Sequence, residues 1–303
     1  MTYPKSTDLS NRTWPWVATL GVILGAVTPM AFAAPPGDLP FGVYDPNGEF
    51  TDDPDVQIEH LFLPWEDVFL PSLDLADIYA RDRNRSVLVT IEPWTWTRDE
   101  RNSPEVLIAG INEGAYDENM ATICAVLNTF SSPVTVRWGQ EMEDRSGQFI
   151  WAAWEPEVFI AAYQRMVTVC RAAAQDIDYM WSPLGLTGFE NYYPGDDYVD
   201  VVGLSVFGLQ AWEQEILGEE QRFRDILAPR YERALQFGKP IVVAELGFRG
   251  DVEYVTRWMN DVRQDIADFP ALEAVIYFNQ TEVYPWPDDF GLPDWRFSQH
   301  VVE

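Results

Sequence analysis

Short apolar runs recur along this chain, and most of the intervals between them carry apolar residues at helical spacing. Phe41-Gly-Val-Tyr44 is the first run, closed by the turn signature Asp45-Pro-Asn-Gly48; residues 57–63 form the second, ended by Pro64-Trp65. Residues 86–92, 134–138, 178–182, 198–205, 239–247 and 272–278 continue the series. Between them, residues 73–83, 105–110, 116–130, 157–174, 223–237 and 252–266 read as helical. The clearest is 157–174, which follows Pro156 and places Phe159, Ala162, Tyr163, Met166 and Cys170 at helical intervals. Continuous apolar strands such as 241–244 imply a parallel sheet covered on both faces. Eight of them, separated mostly by helices, predict an α/β fold of the (β/α)8 TIM-barrel type, forming a single domain over 41–303.

In such a barrel the chemistry gathers where the strands end. Three runs end on glutamate: Glu92, Glu141 and Glu245. Glu141 and Glu245 stop strands four and seven with the same grammar, an apolar run giving way to one acid. Hydrolysis of a glycoside with retention needs such a pair, one carboxyl to protonate the leaving oxygen and one to attack the anomeric carbon, roughly 5–5.5 Å apart. Glu92 is read either as a ligand hydrogen-bonding group or as the partner of an arginine. Arg137 is expected to hold a carboxylate in the barrel mouth by bidentate pairing.

Composition changes this picture in two ways. Thirteen tryptophans are more than a core needs, since indole N–H groups want partners when buried while sugar rings stack on exposed indole faces. Trp94, Trp96 and Trp151 are therefore candidate sugar platforms, with packing under loops as the alternative, and Tyr284, Trp286 and Trp295 lie in a Pro-rich loop that could wall one end of a cleft. The formal charge of −29 is spread along the chain, which disfavours nucleic acid and acidic membranes and leaves a neutral polysaccharide as the expected partner. His60 and His300 are too isolated for a metal site or a triad, and the sequence has no phosphate-binding glycine loop and no cysteine–histidine metal spacing, so neither metal nor cofactor is expected.

Residues 1–33 have the order of a secretory signal peptide: Lys5 and Arg12, an apolar stretch from Trp16 to about Val27, Pro29, then the small positions Ala31 and Ala33. Cleavage after Ala33 would leave a linker over 34–40 and a periplasmic or secreted monomer with no stable membrane insertion. Export permits disulfides. Cys124 and Cys170, the two cysteines, fall on helices after neighbouring strands and could be either a bridge or two buried thiols.

Arg137-Trp-Gly-Gln-Glu-Met-Glu143, Trp151 and the run 159–167 resemble the acid/base region of glycoside hydrolase family 26. Tyr192-Tyr-Pro-Gly-Asp-Asp-Tyr-Val-Asp-Val-Val-Gly203 is similar to that family's strand-six signature, and 239–245 to its nucleophile strand. The resemblance implies a clan A barrel, Glu141 as acid/base, Glu245 as nucleophile, and endo-action on β-mannan, β-1,3-xylan or mixed-linkage β-glucan. There are departures. The family usually has His where this chain has Gln140 and Asn where it has Glu143. Its Asp-Gly-Tyr at strand six is Ser205-Val-Phe207, and its strand-eight Trp platform is replaced by Tyr277. Gln140 can still donate to Glu245 or to a sugar hydroxyl, whereas Phe207 cannot supply the lost tyrosine hydroxyl. Both glutamates persist while their surroundings differ, which implies altered substrate preference. A β-1,4 or mixed-linkage β-glucan is preferred over mannan, and a catalytically idle glycan-binding protein of a polysaccharide synthesis or export system is the alternative outside enzymes.

Overall fold

The computed structural model describes residues 39–66, 68–95 and 103–302. The expected signal peptide, most of the expected linker, and Trp96 lie outside the described residues. No helix among the described residues is long and apolar enough to cross a membrane.

Eight parallel strands close into a barrel in sequence order: β1 (Phe41–Tyr44), β2 (Val56–Pro64), β3 (Ser86–Glu92), β4 (Val134–Trp138), β5 (Ile177–Trp181), β6 (Val201–Leu209), β7 (Ile241–Arg249) and β8 (Leu272–Phe278), with β8 returning to β1. Helices α1 (Pro71–Asp82), α2 (Pro104–Glu113), α3 (Asp117–Leu127), α4 (Pro156–Ala173), the short turn α5 (Gln210–Trp212), α6 (Phe223–Ala234) and α7 (Val252–Asp265) pack outside it. The helical ring is incomplete. Among the described residues β1 and β2 are joined by turns and β5 and β6 by two 3-10 turns, Phe189–Tyr192 and Asp196–Tyr198. Strand six begins three residues later than the sequence suggests and runs on to Leu209, so Ser205 lies inside it and not at its end.

The strand period of two sorts residues to the two faces of the barrel wall. Low in the interior, Leu88, Met180, Val242, Ala244, Ala274 and Ile276 form an apolar cluster separate from the larger one outside. Two residues further along the strands the interior turns polar, with His60 Nε2 2.7 Å from Thr90 Oγ1. Two further still, Phe62, Glu92 and Phe278 line the mouth. The seams differ in length. Strands β6 and β7 pair over eight positions, whereas β5 and β6 pair over only two, Met180 with Val201 and Trp181 with Val202.

Cys124 of α3 and Cys170 of α4 form a disulfide, with Cα atoms 5.3 Å apart. Of the two readings left open by the sequence, the bridged one holds.

Candidate active site

A cleft of about 810 Å3 opens at the C-terminal ends of the strands. Glu141 and Glu245 both line it, Glu141 three residues past the end of β4 and Glu245 inside β7, which runs on to Arg249 and does not stop at the glutamate as the sequence suggests. Each sits on backbone that departs from regularity. Gly139 and Glu141 adopt positive φ of 59° and 57°, which glycine takes freely and glutamate does not. The chain therefore turns sharply after Trp138. The turn is pinned by Glu141 N–H donating to the Ser182 carbonyl (2.8 Å) and by Trp151 Nε1 donating to the Gln140 carbonyl (2.7 Å).

The two glutamates have different partners. Arg137, fully buried beneath the cleft, donates from Nη1 to Glu245 Oε1 at 2.5 Å and to Thr90 Oγ1 at 3.3 Å. The expected bidentate fork is not formed: Nη1 alone reaches the carboxylate, because Arg137 rises along β4 from below and also meets the Thr90 hydroxyl of β3. Burial excludes Arg137 from direct contact with a substrate. His60, on the far side of Thr90, is held well below its ordinary pKa by burial and by the Arg137 charge, so the layer under the cleft carries Arg137 as its cation. Among the described residues Glu141 has no cationic hydrogen-bond partner. Its carboxyl accepts from Ser205 Oγ at 2.5 Å. Its pKa is raised to about 8, first by burial and then by the charge of Glu245, against the opposing pull of Arg137 and of the Ser205 hydrogen bond.

Other expectations need correction. Gln140 lines the cleft, but its Nε2 donates to Glu92 Oε1 at 2.9 Å and not to Glu245. Among the described residues Glu92 forms no ion pair with an arginine: it accepts from Gln140 and from Trp94 Nε1 (3.1 Å), and burial raises its pKa. Trp94 is half-buried, packs edge-on against Trp151 at 4.7 Å, and is not part of the cleft wall. Trp151 is fully buried and stacked on Phe149 at 4.6 Å; its indole serves the Gln140 carbonyl, so it fixes the turn below Glu141 and offers no face to a sugar. Tyr277 is also fully buried, on the outer face of β8, where its hydroxyl donates to the Trp295 carbonyl at 2.6 Å. Its neighbour Phe278 takes the cleft position, as the two-residue period requires. Phe207 and Trp286 do line the cleft and meet edge to face, 6.1 Å apart. Glu143 is buried and accepts from Gly185 N (2.8 Å) and Leu186 N (3.1 Å), tying the turn after β4 to the segment after β5.

Several lining residues were not singled out from the sequence. Tyr44 and Phe62, at the ends of β1 and β2, meet at 4.7 Å beside Phe278 and form an aromatic floor. Glu282, four residues beyond β8, accepts from Trp295 Nε1 at 3.3 Å, and burial raises its pKa. Its position just past a strand end was a usable signal. The hairpin that carries it is braced by paired bridges, Thr281 with Asp294 and Trp286 with Gly291. Tyr284, on its first arm, donates to the Ser146 carbonyl of the β4 loop at 3.1 Å.

The family model of glycosyl hydrolase family 26 matches residues 115–280, which hold β4 to β8 with Glu141 and Glu245. The chain belongs to glycosyl hydrolase family 26. Among its relatives, Endoglucanase H of Acetivibrio thermocellus is 23% identical over 251 residues, 76% of this chain and 26% of that protein. The chain thus spans about a quarter of the length of that relative. Among solved structures, a family 26 β-mannanase from Bacteroides ovatus superposes with a TM-score of 0.61 at 17% identity, over 79% of this chain and 80% of the other. A modular endo-β-1,4-mannanase from Cellulomonas fimi gives 0.61 at 16% identity, over 88% and 67%. At these identities the structural likeness carries the fold: this family 26 chain has the barrel of its relatives.

Proposed function

We propose that the protein is an exported, retaining endo-β-glycanase acting on a β-1,4 or mixed-linkage β-1,3-1,4 glucan. One observation carries the reading: of the four glutamates that line the cleft, Glu141 and Glu245 stand in opposite settings. Glu141 is buried, keeps its proton to about pH 8, and so can act as an acid near neutrality. Glu245 is ion-paired with Arg137 and available as a charged nucleophile.

In the first step Glu245 attacks the anomeric carbon while Glu141 gives its proton to the glycosidic oxygen, whose bond to that carbon breaks. In the second, ionised Glu141 takes a proton from water, which displaces Glu245 from the glycosyl-enzyme. Phe62, Phe207, Phe278 and Trp286 supply apolar surface for sugar rings, in place of the fully buried Trp151 and Tyr277.

The choice of a glucan rests on the residues around the glutamates, where Gln140, Ser205 and Phe207 differ from the family pattern; the endoglucanase relative agrees with it. A mannan is the second reading, supported by the solved mannanases of the same fold. Reducing ends released from lichenan, cellulose, β-mannan and β-1,3-xylan separate the two. Glu245→Ala should reduce that release to background, and activity surviving in this variant, or a first product of inverted anomeric configuration, would overturn the mechanism. Binding across the panel without turnover would instead favour an idle glycan-binding protein.

A further inference from the structure

Ser205 carries one of the two hydroxyl or amide groups that differ from the family pattern around the glutamates, and four features converge on it. Its Oγ lies 2.5 Å from Glu141 Oε1 and is fully shielded from solvent. The pairing of β6 with β7 shifts register at this point, Leu204 facing Val243 and Ser205 facing Glu245, so an extra residue in β7 sets Ser205 directly opposite Glu245. Arg230 of α6 donates from Nη1 to the Ser205 carbonyl, anchoring the backbone at that shift. Gly185 makes room for the arginine: a Cβ there would come within 2.8 Å of the Arg230 stem.

We infer that Ser205 is a positioning residue that assigns the two oxygens of Glu141 their roles, with Arg230 setting Ser205 from behind. The inference rests on the proposed acid/base function of Glu141. A hydroxyl that donates to Oε1 makes that oxygen the acceptor and leaves Oε2 to carry the proton into the cleft. When the proton moves to the glycosidic oxygen and the bond to the anomeric carbon breaks, the negative charge left on Glu141 meets a hydrogen bond already in place. Hydrogen bonds to a charged group are roughly twice as strong as neutral ones, so the stabilisation grows along the reaction coordinate. Arg230 is half-buried and faces Glu141 and Glu143 electrostatically, which adds to the same effect. Serine thereby fixes the acid without contributing a further negative charge beside Glu141 and Glu245.

The test uses leaving groups. A 2,4-dinitrophenolate departs without a proton, whereas a phenolate needs one, so a defect confined to proton donation affects only the second. Kinetics of the wild type, Ser205→Ala, Ser205→Cys and Arg230→Met are measured on 2,4-dinitrophenyl and phenyl β-cellotriosides and on the corresponding mannobiosides. For Ser205→Ala, kcat/KM on the phenyl glycoside should fall about 10- to 100-fold, the range for loss of a hydrogen bond to a charged group, while the dinitrophenyl glycoside changes by less than about threefold. The basic limb of the pH profile should also move upward, since a donor that favours the ionised acid has been removed. Arg230→Met should show the same selectivity in weaker form, and Ser205→Cys, a near-isostere with a weak donor, should lie between. Equal losses on both leaving groups in variants that unfold at wild-type temperature, or no loss on either, would overturn the assignment. A wild type inactive on both classes would overturn the enzymatic reading and this inference with it, whereas an active wild type with an unselective Ser205→Ala overturns the inference alone.

Discussion

Glu141 is the residue on which the chemistry and the stability of the molecule oppose each other. Its pKa is raised from the ordinary 4.5 to about 8, so the proposed acid step should weaken as pH rises through that range, and kcat/KM on a poor leaving group should fall above about pH 8. The native state therefore holds a proton that the unfolded state releases between 4.5 and 8, and over that window stability falls as pH rises. Below it both states are protonated and the penalty vanishes. Glu141→Gln should unfold at a higher temperature than the wild type at pH 8, by roughly 2–4 °C per kcal/mol removed, and match it near pH 4; scanning calorimetry at the two values checks both signs. At this scale the sequence was only partly legible. Glu141 and Glu245 could be located because an apolar run ended on each. The expectation that Tyr277 faces the cleft failed because the parity of a buried strand cannot be read when both faces are apolar: β8 reads Leu-Glu-Ala-Val-Ile-Tyr-Phe, and no polar alternation says which of Tyr277 and Phe278 points inward. Trp151 misled for a related reason. An indole that caps one backbone carbonyl looks the same in sequence as one that faces a sugar.

The strands were legible as elements because parallel strands buried on both sides are written as unbroken apolar runs, and β1, β3, β4 and β8 begin and end where those runs do. The register shift between β6 and β7 was not, since the extra residue lies in β7 between Val243 and Glu245, inside an unbroken apolar run that carries no local sign of it. The pairing of Cys124 with Cys170 was undecidable for the same reason: it required the distance between two helices, now 5.3 Å at Cα. The bridge holds α3 to α4, and α4 follows directly on the loop that carries Glu141 and Trp151. Replacing both cysteines by serine should cost about 4 kcal/mol of stability on the chain-entropy view of a loop this long, measured as a lower denaturant midpoint. Activity at temperatures well below unfolding should persist, because neither sulfur touches the cleft.

At the level of the whole molecule, charge and topology act together. Seven carboxylates line the cleft, and among its lining residues there is no lysine, arginine or histidine, within a chain of formal charge −29. Anionic glycans should therefore be poor substrates. Carboxymethylated cellulose should be hydrolysed more slowly than a neutral soluble β-glucan, and the gap should narrow as salt is raised from about 0.01 M to 0.15 M, where screening shortens from about 30 Å to 8 Å; a gap insensitive to salt would remove electrostatics as its cause. The short seam between β5 and β6 has a consequence of its own. Only two residue pairs join these strands, and Glu141 stitches them, its N–H to the Ser182 carbonyl on one side and its carboxyl to the Ser205 hydroxyl on the other. If the barrel parts first where it is thinnest, the proposed proton donor loses its seat while the rest of the wall still stands. Heat would then silence the protein before melting it, and the amides of 180–182 and 201–206 would exchange with deuterium at temperatures where those of β2, β3 and β7 remain protected.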